Sequence, residues 1–324
     1  MNRNVLVCGG AGYIGSHLCE WLAAEDIGVV VFDNLDGGMA AQARWGTLVT
    51  GDLRDPRALE ALFAAHRFDA VMQLAGRIVV SESVRDPAGY HEHNVVGTRN
   101  LLRAGAAHGA PPVVFSSSAA VYGDPQYTPI DEAHPCVPVN PYGATKMIAE
   151  RMLADFEVAH GMRSVSLRYF NAAGASASGL IGESHRPETH LIPNVLRAAR
   201  DGRPVDVFGD DYPTPDGTCV RDFIHVADLC RAHLASLAYL WDGGATIALN
   251  LGTGHGHSVK EVVATAERIC GRPIERRACP RRAGDPPVLV ASAAKAQEVL
   301  GWRATESDLP AIIDSAWAWA QRGE

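Results

Sequence analysis

Val5-Leu6-Val7-Cys8-Gly9-Gly10-Ala11-Gly12-Tyr13-Ile14-Gly15 decides the fold. Its four apolar residues end in glycine, as expected of a buried parallel strand. Gly9, Gly12 and Gly15 then form Gly-x-x-Gly-x-x-Gly, a variant spacing of the dinucleotide fingerprint. A Cβ at these points would hold a pyrophosphate away from the N-terminus of the helix that follows, predicted over 16–24. Glycines alone would also fit a plain turn, but these lie between a strand and a helix. A second strand, Val29-Val30-Val31-Phe32, ends in Asp33, eighteen residues after Gly15. A carboxylate there accepts the adenosine ribose hydroxyls and repels a 2′-phosphate, so NAD is expected rather than NADP.

The pattern repeats outward from this stretch. Thr47-Leu48-Val49-Thr50 reads as a third strand, followed by Gly51-Asp52-Leu53. Asp52 can accept from an adenine amino group or cap a helix. A fourth strand over 69–76 ends in Leu74-Ala75-Gly76, small enough for close passage of a cofactor. A helix is expected over 86–108, carrying Asn94 and interrupted at Gly89 and Gly97. Pro112-Val113-Val114-Phe115 is a fifth strand, and 163–169 a sixth. Strands alternating with helices predict an α/β fold, a doubly wound parallel sheet, with ligands at the carboxyl ends of the strands.

The fifth strand runs into Ser116-Ser117-Ser118, and Tyr142-Gly143-Ala144-Thr145-Lys146 opens a strongly helix-forming run. Tyr142 and Lys146 are four apart, so they share a helix face. An unperturbed phenol titrates near pH 10 and is a poor base at neutrality, but a nearby cation favours the phenolate. Lys146 and a cationic nicotinamide are the expected sources of that charge. Ser118 can bond the substrate oxygen that Tyr142 deprotonates. No Gly-x-Ser-x-Gly elbow surrounds the serines, which disfavours a serine hydrolase.

The 324 residues, 47% hydrophobic and 20% charged, describe a globular chain. A net charge of -8 gives no general attraction to nucleic acid. The seven cysteines include no Cys-x-x-Cys pair, so a cytoplasmic, reducing setting is expected. No run is long and apolar enough for a membrane span. His255-Gly256-His257 has no acid or cysteine at ligand spacing, and no metal is expected.

Ser118, Tyr142-x-x-x-Lys146, the three glycines and Asp33 together resemble the extended short-chain dehydrogenase/reductase family. Longer blocks resemble its UDP-glucose (UDP-galactose) 4-epimerases: 9–17, 116–123, Leu167-Arg168-Tyr169-Phe170-Asn171, 209–214 and 216–226. The similarity reaches to about Trp319. It implies an NAD-binding Rossmann domain of 1–171 plus 220–253, and a smaller UDP-sugar-binding domain of 172–219 plus 254–324. It puts NAD against Gly9, Gly12, Tyr13, Ile14, Gly15, Asp33, Asn34, Asp52, Leu53, Leu74, Ala75, Gly76, Asn94, Ser116, Tyr142, Lys146 and Tyr169. It puts the UDP-sugar against Ser118, Tyr142, Phe170, Asn171, His190, Leu191, Phe208, Arg221, Arg282, Asp285 and Leu289. Arginine suits that task because its planar fork pairs with phosphate oxygens. The implied chemistry is reversible: Tyr142 takes the proton of the sugar 4-hydroxyl, the hydride moves to NAD, the 4-keto ring turns over, and hydride returns to the other face. A homodimer is implied as well.

The chain also departs from that family. Arg77-Ile78 stands where a lysine is usual at Ile78, His190 replaces a common asparagine, and Phe223 a common tyrosine. Leu289 lies where side-chain bulk is thought to decide whether N-acetylated sugars fit, and leucine is intermediate. Epimerases of UDP-N-acetylhexosamines, UDP-uronates or UDP-pentoses share the same chemistry. A sugar-nucleotide 4,6-dehydratase would place an Asp-Glu pair where Ala119-Ala120 stands. A silent NAD-binding regulator would be expected to have lost Ser118, Tyr142 or Lys146, and all three are present.

Overall fold

The computed structural model describes residues 3–185, 187–282 and 285–322. The chain divides into two compact units, each assembled from three segments. The first is Met1–Gly123, Pro135–Arg168 and Cys230–Leu249; the second is Asp124–His134, Tyr169–Leu229 and Asn250–Glu324.

The first unit is built on a seven-stranded sheet. Six of its strands are β1 (Asn4–Cys8), β2 (Gly28–Asp33), β3 (Thr47–Thr50), β4 (Ala70–Gln73), β5 (Val113–Ser116) and β6 (Ser164–Tyr169). The order across the sheet is Ile247–Leu251, β6, β5, β4, β1, β2, β3. β1 pairs in parallel with β2 and β4, β2 with β3, β4 with β5, and β5 with β6. Val5, Leu6, Val7 and Cys8 are fully buried, which is why β1 reads as an unbroken apolar run. Strand order reverses between β1 and β4, the switch point where open α/β sheets bind ligands. Gly9 and Ala75 meet there. Gly9 has φ +81°, and a Cβ on it would come within 2.7 Å of the Ala75 nitrogen. At Gly15 a Cβ would come within 2.1 Å of the Gly9 carbonyl oxygen. The loop is therefore folded tightly onto its own helix.

That helix, α1, spans Tyr13–Ala24 and so starts earlier than the predicted 16–24, with Gly12 at its N-cap. A helix that the sequence reading passed over, α2 (Pro56–Ala65), is capped by Asp55, whose side chain accepts from the Arg57 amide. Short helices α3 (Val80–Arg85) and α4 (Pro87–Tyr90) precede a π-helical turn at His91–Val96 and then α5 (Gly97–Ala107). The expected interruptions of one long helix at Gly89 and Gly97 are thus replaced by a π turn between them, which makes Asn94 part of the irregularity. Helix α6 (Pro141–His160) has three start and stop signals. Asn140 accepts from the Gly143 amide, Pro141 takes the first turn, and Gly161 ends the helix at φ +69°. Leu59, Leu101, Leu102, Phe115 and Leu153 share one core cluster with Leu6 and Phe32.

The second unit buries Ile192, Val195 and Leu196 of α7 (Leu191–Asp201) against Val262, Val263, Ile312 and Ile313. The latter come from helices Val259–Cys270 and Leu309–Ala320. Its sheets are small. Phe223–His225 pairs with Asn171–Ala173; Val220–Arg221 pairs with His257–Ser258 and Val288–Leu289; Val205–Phe208 pairs with Arg276–Cys279. Residues 169–171, 220–229 and 250–253 fall in the second unit, whereas the domain division expected from sequence gave them to the first. Likewise 124–134 sits in the second unit, because Ile130 exchanges backbone bonds with Val290 (2.8 Å) and Ser292 (2.7 Å).

Candidate active site

Ser118, Tyr142 and Lys146 come together in the first unit. Ser118 follows β5 and caps a 3-10 turn, its Oγ accepting from the Ala120 amide at 3.1 Å. That leaves its proton for the Tyr142 phenol, to which it hydrogen-bonds. Lys146 is buried. Its Nζ donates to the Ser116 carbonyl at 2.8 Å and lies 5.9 Å from the centre of the Tyr142 ring. Burial raises the Tyr142 pKa above its ordinary value, and the Ser118 bond pulls it partly back. A strand-end carbonyl thus fixes the Lys146 ammonium beside the phenol.

Burial lowers the Lys146 pKa from 10.5 to about 8, with Glu150 opposing the shift. The folded value lies below the unfolded one, so between pH 8 and about 10.5 the folded chain binds fewer protons than the unfolded chain. The Lys146 contribution to stability therefore rises with pH across that window, by about 3 kcal/mol in all. Buried Cys8, Cys19 and Cys230 have raised pKa values and pull the other way. They are common to wild type and Lys146→Met, so the difference between the two proteins isolates the lysine. We expect wild-type stability, measured by denaturant titration relative to Lys146→Met, to climb from pH 8 to pH 10. A flat difference would rule out a buried, easily deprotonated Lys146.

Glu150 and Arg168, which sequence reasoning missed as site residues, bind this cluster from behind. Glu150 lies one turn after Lys146 on α6. It accepts from Ser117 Oγ at 2.5 Å and from Arg168 through two bonds, Nε at 2.9 Å and NH2 at 2.5 Å. Arg168 NH1 donates to the Tyr122 hydroxyl at 2.9 Å. The pair thus ties α6 to β6 and to both flanks of the Ser118 turn.

The residues expected at the cofactor are also placed in the first unit, Tyr169 excepted. Gly9, Gly12 and Gly15 form the turn, and Tyr13 and Ile14 open α1, which no side chain caps. Asp33 is buried. Its oxygens accept from the Ala11 amide at 3.0 Å and the Leu35 amide at 2.8 Å. Asp52 is not the cap of α2. Its carboxylate is gripped by Arg54 Nε and NH2 at 2.9 and 2.6 Å and by Asn34 at 2.9 Å, which holds its pKa well below the carboxylate range. Leu53 is buried, and its carbonyl accepts from Asn100 at 3.1 Å. Leu74, Ala75 and Gly76 follow β4. A Cβ at Gly76 would come within 2.8 Å of Asn94 Oδ1. Asn94 itself is clamped, accepting from the Arg77 amide at 2.8 Å and donating to the Arg77 carbonyl at 3.0 Å and Thr145 Oγ1 at 3.1 Å. The Arg77 guanidinium, next to the position where a lysine is usual, is paired with Asp86 at 2.9 Å.

The second unit carries Tyr169 and the rest of the expected substrate residues. Asn171 donates to the Asp222 carbonyl at 3.0 Å. Asp222, another residue missed in the sequence, is buried and accepts from the amides of Thr253, Gly254 and Ala291. Next to it, Arg221 pairs with Asp285 at 2.7 Å and lies in register with Leu289. The Arg282 guanidinium stacks 3.9 Å from the centre of the Phe208 ring. Arg282 and Asp285, with Arg281 and Tyr212, line an open cleft of about 580 Å³. Phe170 is half-buried at the β6 exit. His190 and Leu191 stand at the start of α7, with the His190 ring turned onto Glu183.

Residues 5–252 match the NAD dependent epimerase/dehydratase family. The chain is 50% identical to the UDP-glucose 4-epimerase of Rhizobium meliloti (strain 1021), over 99% of this chain and 98% of the relative. Two solved structures superpose closely. The Brucella ovis UDP-glucose 4-epimerase in complex with NAD is 49% identical, with a TM-score of 0.94 and 97% of each chain covered. The Bifidobacterium longum enzyme in complex with NAD+ and UDP is 38% identical, with a TM-score of 0.94 and 99% of each chain covered. With its glycine turn, its Asp33 and its Tyr142-x-x-x-Lys146 helix on one parallel sheet, the chain belongs to the NAD dependent epimerase/dehydratase family.

Proposed function

We propose that the protein is a UDP-sugar 4-epimerase that interconverts UDP-glucose and UDP-galactose with NAD as its cofactor. The observation that carries this reading is the meeting of Ser118, Tyr142 and Lys146 in the same unit as the glycine turn and Asp33. The chain fits a dinucleotide in three respects. The uncapped N-terminus of α1 presents its positive end to an anion. Glycine at 9, 12 and 15 keeps side chains out of that approach. Each Asp33 oxygen takes one backbone N–H and retains acceptor capacity for ribose hydroxyls.

NAD, when bound, supplies the hydride acceptor for C4, so that the sugar passes through a transient 4-keto form. Tyr142 removes the proton of the 4-hydroxyl and returns it after the ring has turned over. Ser118 bonds the same oxygen and steadies the Tyr142 phenolate. Lys146 holds the nicotinamide ribose, and its charge survives at neutral pH. Asn171, Arg221, Arg282 and Asp285 anchor the diphosphate and ribose, while Leu191 and Phe208 border the uracil. His190 serves that end of the site through its place at the start of α7. Leu289 sets the room around the sugar.

A panel of UDP-glucose, UDP-galactose, their N-acetyl forms and UDP-uronates, with product sugars resolved, tests the reading. Interconversion of the two hexoses is the expected result. Turnover confined to another pair would keep the chemistry and replace the substrate; no turnover with any of them would reject the epimerase. No helix among the described residues is long and apolar enough to cross a membrane. In this reading the enzyme works in the cytoplasm as a homodimer paired through the helices of 86–108 and 142–160, which light scattering checks.

A further inference from the structure

Among the described residues, one group of His, Cys, Asp or Glu side chains is gathered closely enough to hold a metal ion, and it is not the His255–His257 pair. It consists of Glu183, His185, Glu188 and His190, whose ligand atoms all lie within 4.8 Å of one another. We propose that these four residues form a structural zinc site that pins the segment leading into α7. The sequence reading assigned no metal, yet the motif is visible in it: Glu-x-His at 183–185 recurs at 188–190.

The donor geometry supports the assignment. His185 Nδ1 lies 3.1 Å from Glu183 Oε1 and 3.9 Å from Glu188 Oε2. His190 Nδ1 lies in close contact with Glu183 Oε1. Four ligands around zinc at about 2.0–2.1 Å stand roughly 3.3 Å apart; the two His185 spacings bracket that value, and His190 Nδ1 would have to exchange its hydrogen bond to Glu183 for the ion. Two neutral imidazoles and two carboxylates balance the charge of a divalent ion. This is a closed four-ligand set, the mark of a structural rather than a catalytic zinc.

An independent observation points the same way. The Glu183 and Glu188 side chains are only 6% and 1% exposed. Glu188 Oε1 accepts from the amides of Thr189 and His190, both at 2.8 Å. Its other oxygen, Oε2, is buried with no hydrogen-bond partner. A buried carboxylate oxygen without a partner is unfavourable in a protein interior. A cation among the four donors removes that penalty, and the two backbone bonds on Oε1 leave Oε2 as the ligand atom. Outer contacts hold the ligands in place: Trp319 Nε1 donates to the Glu183 carbonyl at 3.0 Å, and Asn194 to the His190 carbonyl at 2.8 Å. The ion would thus fix the residue immediately before Leu191.

The test reads metal rather than turnover, so it stands or falls apart from the epimerase reading. The purified full chain is incubated with zinc alone, desalted, and its zinc measured by mass spectrometry. One zinc per chain is expected in wild type and in His255→Gln, a control at an exposed histidine. Glu188→Gln and His185→Gln should each lose zinc affinity by more than the roughly tenfold to hundredfold seen when only an outer partner of a ligand is removed. Cobalt in place of zinc should give the visible bands of a four-coordinate ion in wild type, absent from both variants. Circular dichroism checks folding, and should Glu188→Gln not fold, the more exposed His185→Gln decides. A wild type without zinc after incubation, or folded variants that retain it fully, would overturn the proposal.

Discussion

Replacing Tyr142 by phenylalanine is expected to lower turnover by about 10²–10⁴-fold, the span that a positioned general acid–base contributes. KM and bound NAD should change little, because the ring and its packing remain. The argument rests on what the lost oxygen does. Within the chain, burial holds the phenol above its ordinary pKa and the Ser118 hydroxyl draws it down. The pH profile of kcat should therefore have a rising limb that reports phenol deprotonation. Ser118→Ala removes the stabilising bond, so that limb moves to higher pH while the plateau also falls. Lys146 is bonded to Ser116 and is assigned to the nicotinamide ribose, so Lys146→Met should weaken cofactor retention. Near-normal epimerisation by Tyr142→Phe, with product sugars resolved, would remove the phenol from the mechanism.

The central strands of the parallel sheet were legible because they are buried on both faces and so read as short apolar runs, β1 closed by glycine and β2 by an acid. Asp33 and the glycines were legible for the same reason, since their spacing is dictated by a strand, a tight turn and a helix in succession. The second unit was harder. Val220–Arg221 and Val288–Leu289 are two residues long, too short for any alternation to declare itself. Arg276–Cys279 is largely exposed and carries two arginines, so it reads as a loop. At the site, the shared face of Tyr142 and Lys146 follows from helical spacing alone. The irregular turn that buries Asn94 does not, because a π turn leaves no local signature in His91–Val96. Nor could periodicity reveal that the Lys146 ammonium would meet a strand-end carbonyl, or that burial would raise the Tyr142 pKa.

Glu150 shows how a sequence signal can be half visible. It lies four residues after Lys146 and so shares its face, but only the fold brings Arg168 against it from β6. Both side chains are nearly buried, 12% and 9% exposed. Glu150→Leu would leave the Arg168 guanidinium buried without its carboxylate, and we expect a loss of about 3–5 kcal/mol in stability. The double variant Glu150→Leu/Arg168→Met should recover most of it, because well-packed apolar pairs often replace buried ion pairs at little cost. Activity should not recover with stability. The double variant still lacks the Ser117–Glu150 and Arg168–Tyr122 bonds, which hold the chain on either side of Ser118. A displacement of about 1 Å there is enough for a hundredfold loss of rate. Denaturant titration and steady-state kinetics on the two variants separate the effects: kcat should fall in both, with KM less affected. A double variant that is stable and fully active would reduce the pair to packing, and a single variant as stable as wild type would show that Arg168 finds water or another acceptor when Glu150 is gone.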